Sequence, residues 1–300
     1  MSKKGKLDVG FSLDWLSVTV KGVSDTTVAR ALLFGQDMSA YLEVTPMNGY
    51  SWAIRHPFGH VVMSNSKRAD MGVHVMFSGS ALNELHKGGI SPLEMIKWAL
   101  DQDAKVTRID LALDLYGTPV DMERLYRSKQ VKGKEGGSKK RSKIENDEGG
   151  FTIYFGSRKS AKVLRVYNKA AEQNLPGVVW TRFEMEVRED AAHEVAAAIV
   201  NMSPDDASHY TMGLIKGHYN ADDELYQLLL DAPARHVATT KDASDATLDW
   251  LMGTVAKTVA KQMRKHSHVN VWKLFSEAVA ANLKAQGGMP NGKKNEVEVK

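Results

Sequence analysis

The sequence predicts an α+β fold: an antiparallel twisted β-sheet with helices packed on one face, a charged active face left open, and a helical C-terminal region. Three observations predict it. Several segments alternate apolar and ionic residues with a period of two, the pattern of a strand with one face in a core and the other in water. Short amphipathic helical stretches separate these segments. After Asn201 the strand-like segments stop and only helical periodicity continues.

Ser12–Val20 (SLDWLSVTV) and Gly72–Phe77 (GVHVMF) are rich in β-branched and aromatic residues and read as strands. Ser91–Leu100 carries Pro92 at a first-turn position and apolar residues at Leu93, Ile96 and Trp98–Leu100, so it reads as a helix. Lys105–Leu115 returns to strand, and Val120–Ser128 is a short helix. Phe151–Phe155 and Val163–Lys169 form a hairpin about a turn at Gly156–Ser160. Val178–Arg188 is a strand and Asp190–Asn201 an Ala-rich helix. Asp245 is placed to cap a helix running to about Lys265, and Asn270 one running to Lys284. The expected organisation is a sheet domain over 1–202, a helical region over 203–286 and a disordered tail over 287–300.

In Arg108–Leu115, Arg108, Asp110, Ala112 and Asp114 share one face and Ile109, Leu111, Leu113 and Leu115 the other. In Trp180–Arg188, the ionic face carries Arg182, Glu184, Glu186 and Arg188. In Leu164–Lys169 it carries Arg165, Tyr167 and Lys169. Cross-strand ion pairs on a solvated face account for any one of these strands. Three together gather four carboxylates, several cations and a tyrosine, and clustered carboxylates suit Mg²⁺ or Mn²⁺. Tyr167 is a poor nucleophile as a free phenol. Arg165 and Lys169 beside it are placed to stabilise a phenolate and the charge on a phosphoryl oxygen. A structural tyrosine between basic residues is the alternative.

The chain has 300 residues, with 40 Lys+Arg against 36 Asp+Glu and no cysteine. It can form no disulfide, thiolate metal site or cysteine nucleophile. No apolar run is long enough to span a membrane, and the basic start MSKKGKLDVG lacks an apolar stretch, so a cytoplasmic protein is expected. A net charge of +4 says little about nucleic acid, but its distribution says more. The segment 131–149 reads as a mobile basic loop, with Lys139, Lys140 and Arg141 among its cations. The turn at Ser157, Arg158, Lys159 and Ser160 offers hydroxyls, backbone N–H groups and cations to phosphate. With Arg182 and Arg188, these residues form the expected DNA contacts.

Taken in order, RIDLALDL (residues 108–115), TIYFGSRKSAKVLRVYNKAAEQ (Thr152–Gln173) and WTRFEMEVR (Trp180–Arg188) closely resemble the replication initiation factor family. That family holds the rolling-circle Rep proteins of plasmids, relaxases of integrative elements and filamentous-phage replication proteins. The resemblance runs through most of residues 10–200, with VHVMFSG (residues 73–79) and Asp14-Trp15-Leu16 as weaker matches. It implies sequence-specific DNA nicking and closing, with Tyr167 as nucleophile forming a 5′-phosphotyrosyl link and freeing a 3′-hydroxyl. It also implies a divalent metal, Mg²⁺ or Mn²⁺, which maps onto Asp110, Asp114, Glu184 and Glu186 without deciding among them. Origin DNA, double- and single-stranded, is the implied partner, with a host helicase and a homodimer as further expectations. No nucleotide-binding G-x-x-x-x-G-K-[ST] motif is present. No His-hydrophobe-His triplet is present either: His56 and His60 are four apart, and His266 and His268 flank Ser267.

Two alternatives stay open at this level. A metal-dependent nuclease would use the same carboxylates with water as nucleophile. A non-catalytic DNA-binding regulator would rest on the basic C-terminal helices, with Lys257, Lys261, Arg264, Lys265, Lys273 and Lys284.

Overall fold

The computed structural model describes residues 7–33, 38–57, 59–131, 140–145, 150–232 and 235. These belong to a compact unit, Met1–Thr239. The helices expected after Asp245, the tail over 287–300, and Lys139 lie outside the described residues.

Among the described residues, ten strands form one sheet. They are β1 (Asp8–Val20), β2 (Leu42–Glu43), β3 (Trp52–Arg55), β4 (Val61–Ser64), β5 (Val73–Ser78), β6 (Lys105–Tyr116), β7 (Arg141–Glu145), β8 (Phe151–Phe155), β9 (Lys162–Asn168) and β10 (Trp180–Arg188). Their spatial order is β2-β3-β4-β5-β1-β6-β10-β9-β8-β7, and every pairing is antiparallel. The helices are α1 (Asp25–Ala31), α2 (Gly79–Lys87), α3 (Pro92–Asp101), α4 (Met122–Arg127), α5 (Lys169–Glu172), α6 (Glu189–Ile199), α7 (Pro204–His218) and α8 (Glu224–Leu229). This is the α+β, open antiparallel architecture that the alternating strands predict.

The apolar face of the central strands makes the core. Ile109, Leu111, Leu113 and Leu115 of β6 are fully buried, as are Leu164 and Val166 of β9, with Phe183, Met185 and Val187 beside them on β10. Burying each such side chain contributes roughly 1.5–3 kcal/mol. Helix α6 packs on β6 and β10 through Val195, Ala196 and Ile199, and α3 packs on β1 and β6. The start of α3 follows from its sequence: the Ser91 Oγ accepts from Glu94 N (3.2 Å) and Glu94 Oε2 accepts from Ser91 N (2.6 Å), with Pro92 in the first turn.

The structure departs from the sequence reading in three places that bear on the site. The segment read as a basic loop contains the edge strand β7, which pairs with β8 over Arg141–Glu145. Strand β9 stops at Asn168, whose Oδ1 accepts from Ala171 N (3.0 Å) and caps α5, so Lys169 opens a helix rather than extending the strand. The compact unit runs past the expected boundary near residue 202, because α7 buries Tyr210, Leu214 and Ile215 against the same core. Strands β2 to β4 and helices α1, α2, α7 and α8 were not individually legible.

Candidate active site

Register fixes which side chains meet on the second face of the sheet. One cross-strand row runs Ile144, Thr152, Tyr167, Arg182, Asp114 and Gly10. The next runs Ser142, Tyr154, Arg165, Glu184, Ala112 and Ser12. A third sets Glu186 opposite Asp110 and Asp110 opposite Trp15. Neighbours in such a row stand roughly 4.5–5.5 Å apart at Cβ. The sequence-predicted Tyr167, Arg165 and four carboxylates therefore do share one surface.

Strand β1 adds a residue that the sequence reading passed over. Its pairing with β6 shifts between Leu13 and Trp15, and the bulge turns Asp14 onto the charged face. There Asp14 Oδ1 accepts from Arg182 Nη1. A Cβ at residue 79 would stand 2.6 Å from Asp14 Oδ1, so Gly79 is what lets α2 begin against this carboxylate. The signal available was Asp14-Trp15-Leu16, whose aspartate interrupts the otherwise apolar and hydroxyl-bearing segment Ser12–Val20.

The charged face is more tightly shielded than a solvated sheet surface, because its own side chains cover it. Asp110, Asp114, Glu184 and Glu186 are all buried. Each is matched by a guanidinium group. Arg108 forks onto Asp110 (2.9 and 2.6 Å) and stacks over Trp15 (4.7 Å). Arg182 forks onto Asp114 (both 2.8 Å), which also accepts from Trp180 Nε1 (2.6 Å). Arg165 pairs with Glu184, and Arg188 with Glu186.

Tyr167 sits inside this network, 8% exposed, and its hydroxyl donates to Glu184 Oε2 (2.9 Å). The Arg165 guanidinium and the Lys169 ammonium lie 5.8 and 5.6 Å from the centre of its ring. Lys169, though it opens α5, thus still flanks the tyrosine, while pairing with Glu172. Burial pushes the Tyr167 hydroxyl far above the ordinary phenol value, and Glu184 and Asp14 push it further. At neutral pH the group is a protonated phenol with a carboxylate placed to take its proton. A cleft of ≈ 350 Å³ opens at this point, lined by Tyr167, Arg165, Asn168 and Thr152 among others. A larger one, ≈ 980 Å³, reaches Asp14, Asp110 and Lys169 and shares Arg165 and Glu172 with it.

The donor chemistry suits a hard divalent cation. Five carboxylates (Asp14, Asp110, Asp114, Glu184, Glu186) face four guanidinium groups (Arg108, Arg165, Arg182, Arg188). Burial raises the Asp110 carboxyl to about 7; Arg108 opposes the shift, while Glu184 and Glu186 add to it. Asp14 is raised by burial and then by Glu184. A bound cation would favour the charged form of carboxyls raised in this way. Asp110 and Glu186, directly opposite in register, fit best, since their partners Arg108 and Arg188 have side chains 28% and 36% exposed. Asp114 does not fit: Arg182 and Trp180 saturate it, which makes it a structural carboxylate. Among the described residues no group of three His, Asp or Glu forms a ready-made cage.

The expected DNA contacts scatter. The turn bearing Ser157, Arg158, Lys159 and Ser160 lies at the far end of the β8–β9 hairpin, roughly 17 Å of strand from Tyr167. Its parts hold one another: Ser160 Oγ donates to Ser157 O (2.6 Å), and Arg158 lies over Tyr154 (4.5 Å). Arg182 is buried in its pairs with Asp14 and Asp114 and is no DNA contact. Arg141 donates to the Tyr126 and Ser128 carbonyls, a tether for β7. Arg188 donates to Arg158 O (3.0 Å) as well as pairing with Glu186, and Lys140 is exposed.

Residues 104–270 match the family model described as replication initiation factor. The chain belongs to the replication initiation factor family. Among solved structures, it is similar to the rolling circle replication initiator protein from Geobacillus stearothermophilus, with a TM-score of 0.56 at 23% identity, covering 77% of this chain and 94% of that one. That likeness is one of fold. Comparison with curated protein sequences gave no match. The family match spans β6 to β10, the strands that build the charged face, whereas Asp14 on β1 lies outside it. Among the described residues no helix is long and apolar enough to cross a membrane.

Proposed function

We propose that this member of the family initiates rolling-circle replication by cutting one strand of its origin DNA at Tyr167 and later rejoining it. The observation that carries the reading is the hydrogen bond from the Tyr167 hydroxyl to the buried Glu184 Oε2 (2.9 Å), with Tyr167 and Arg165 both lining a cleft. Glu184 takes the phenolic proton as the oxygen attacks phosphorus. The bond from phosphorus to the 3′ oxygen breaks, the 5′ phosphoryl group stays on Tyr167, and the proton held by Glu184 is available to the departing 3′ oxygen. Atoms and charge balance without a nucleotide cofactor, and reversal reseals the strand.

The same proton transfer frees a cation. Glu184 also pairs with Arg165, so neutralising the carboxylate releases the guanidinium toward the phosphoryl oxygens as their charge builds. Lys169 adds a second positive charge beside the ring. Asp110 and Glu186 would hold the divalent cation, which when bound would polarise a phosphoryl oxygen.

The test is incubation of supercoiled DNA carrying the cognate origin with Mg²⁺ or Mn²⁺, followed by denaturation. The wild-type chain is expected to nick it and remain attached to a 5′ end, and Tyr167→Phe to do neither. Nicking by Tyr167→Phe at the wild-type rate would overturn the proposal in favour of attack by water.

A further inference from the structure

We infer that the ≈ 350 Å³ cleft beside Tyr167 is a nucleobase site, which takes one unpaired base of the strand being cut. The inference rests on the nicking reading for its biological setting, but its physical basis is the uneven chemistry of the cleft. One part of the lining is ionic and holds Arg165, Glu172 and the reactive tyrosine. The rest of the lining includes the aliphatic Ile144 and Ala171 and the Tyr154 side chain. A nucleotide has this division, with a charged phosphate joined to a flat, largely apolar base.

Register explains how the aliphatic part of the lining arises. Ile144 and Thr152 continue the cross-strand row of Tyr167 toward the sheet edge, so Ile144 stands two strands away, roughly 10 Å at ordinary strand spacing. Ile144 is 47% exposed on β7, an unusual place for a large aliphatic side chain on an edge strand whose other residues are Arg, Ser, Lys and Glu. It does not belong to the core, which lies on the other face. Asn168 and Asn174 bring amide groups into the lining.

The mechanism needs such a site. The Tyr167 hydroxyl is recessed among charged neighbours, and a phosphodiester in a stacked duplex cannot reach it. The strand must be unpaired and unstacked locally, which costs a few kcal/mol unless the freed base finds a surface of its own. Apolar contact with Ile144 reads no hydrogen-bonding edge and tolerates any base, so the site gives grip rather than sequence.

The experiment compares binding of the full chain to oligothymidylate and to an abasic oligomer of equal length, at one fixed salt concentration. The base-bearing strand is expected to bind about tenfold more tightly. In Ile144→Ser the ratio should fall toward one, and in Ile144→Leu it should return. Because residue 144 is exposed, neither change threatens folding, and a ratio cancels any general loss of affinity. A ratio near one in the wild-type chain, or one unmoved by Ile144→Ser, overturns the inference and leaves an ordinary surface groove. The nicking reading fails separately, on supercoiled DNA. A chain that shows the base effect but leaves no covalent adduct keeps the site and loses the reaction.

Discussion

Two ends of one sheet bury polar groups in opposite ways. Between β3 and β4, toward one edge, His56 and His60 are buried with their rings stacked (4.9 Å apart, 6° between planes), and Tyr41 meets His60 Nε2 at 2.6 Å. Burial holds the His60 imidazole down at about 3, and His56 below its usual value, so both are neutral. On β6, β9 and β10 the buried groups are carboxyls paired with guanidinium groups. A neutral cluster settles the packing of a hairpin but has no charge to lend to a transition state. A network of paired ions does, and one proton moving to Glu184 unbalances it. Of the two regions, it is the second that the proposed nicking reaction draws on.

The comparison is broken most severely at Glu184. Glu184→Gln keeps the shape and removes the proton acceptor, and nicking should fall about 10²- to 10⁴-fold. Raising the pH should restore part of the loss, as the phenol then ionises without help; a pH-independent loss would mean that Glu184 acts only through packing.

Arg182→Met should act on stability rather than chemistry. It strands Asp114 and Asp14 without their cation, at a cost of about 3–5 kcal/mol. Urea unfolding of the purified chain reads this directly, and a loss under 1 kcal/mol would show that the pairing is dispensable.

A smaller effect has opposite signs at the two ends. The folded value of His60 lies below its unfolded value of 6.5, so the unfolded chain takes up the proton first. Its contribution is intact at neutral pH and is lost as pH falls from about 6.5 toward 3. Asp110 lies above its unfolded value of 3.8, so its contribution is present at low pH and is lost as pH rises toward 7. Each slope is about 1.4 kcal/mol per pH unit at its steepest. Thermal melts across this range, in metal-free buffer, should show the acid-side slope reduced in His60→Phe and the neutral-side slope reduced in Asp110→Asn. Parallel curves for the wild-type chain and the two variants would contradict the assignment.

Much of the charged region was legible because strand parity is rigid. RIDLALDL and WTRFEMEVR alternate without interruption, so once both are strands their carboxylates and arginines must share a face. What parity could not say is that neighbouring arginines would cover that face, since this follows from pairing across strands. Arg182 illustrates the point: as a lone residue it reads as a DNA contact, and its burial depends on Asp14, 168 positions away in sequence. Asp14 itself was hidden by the bulge, which breaks the alternation where it matters. Strand β7 was hidden by its composition, because a Lys-rich, Gly-flanked segment becomes a strand only by pairing with β8. The helical α7 was grouped with a separate region because it packs on β1, β6, β9 and β10, strands that precede it in sequence.

The most direct test of the account is to digest the denatured protein–DNA adduct and find which peptide carries the nucleotide. The account predicts a 5′-phosphoryl link on the peptide containing Tyr167. A link on any other residue, or cleaved DNA with no attached peptide, would contradict it.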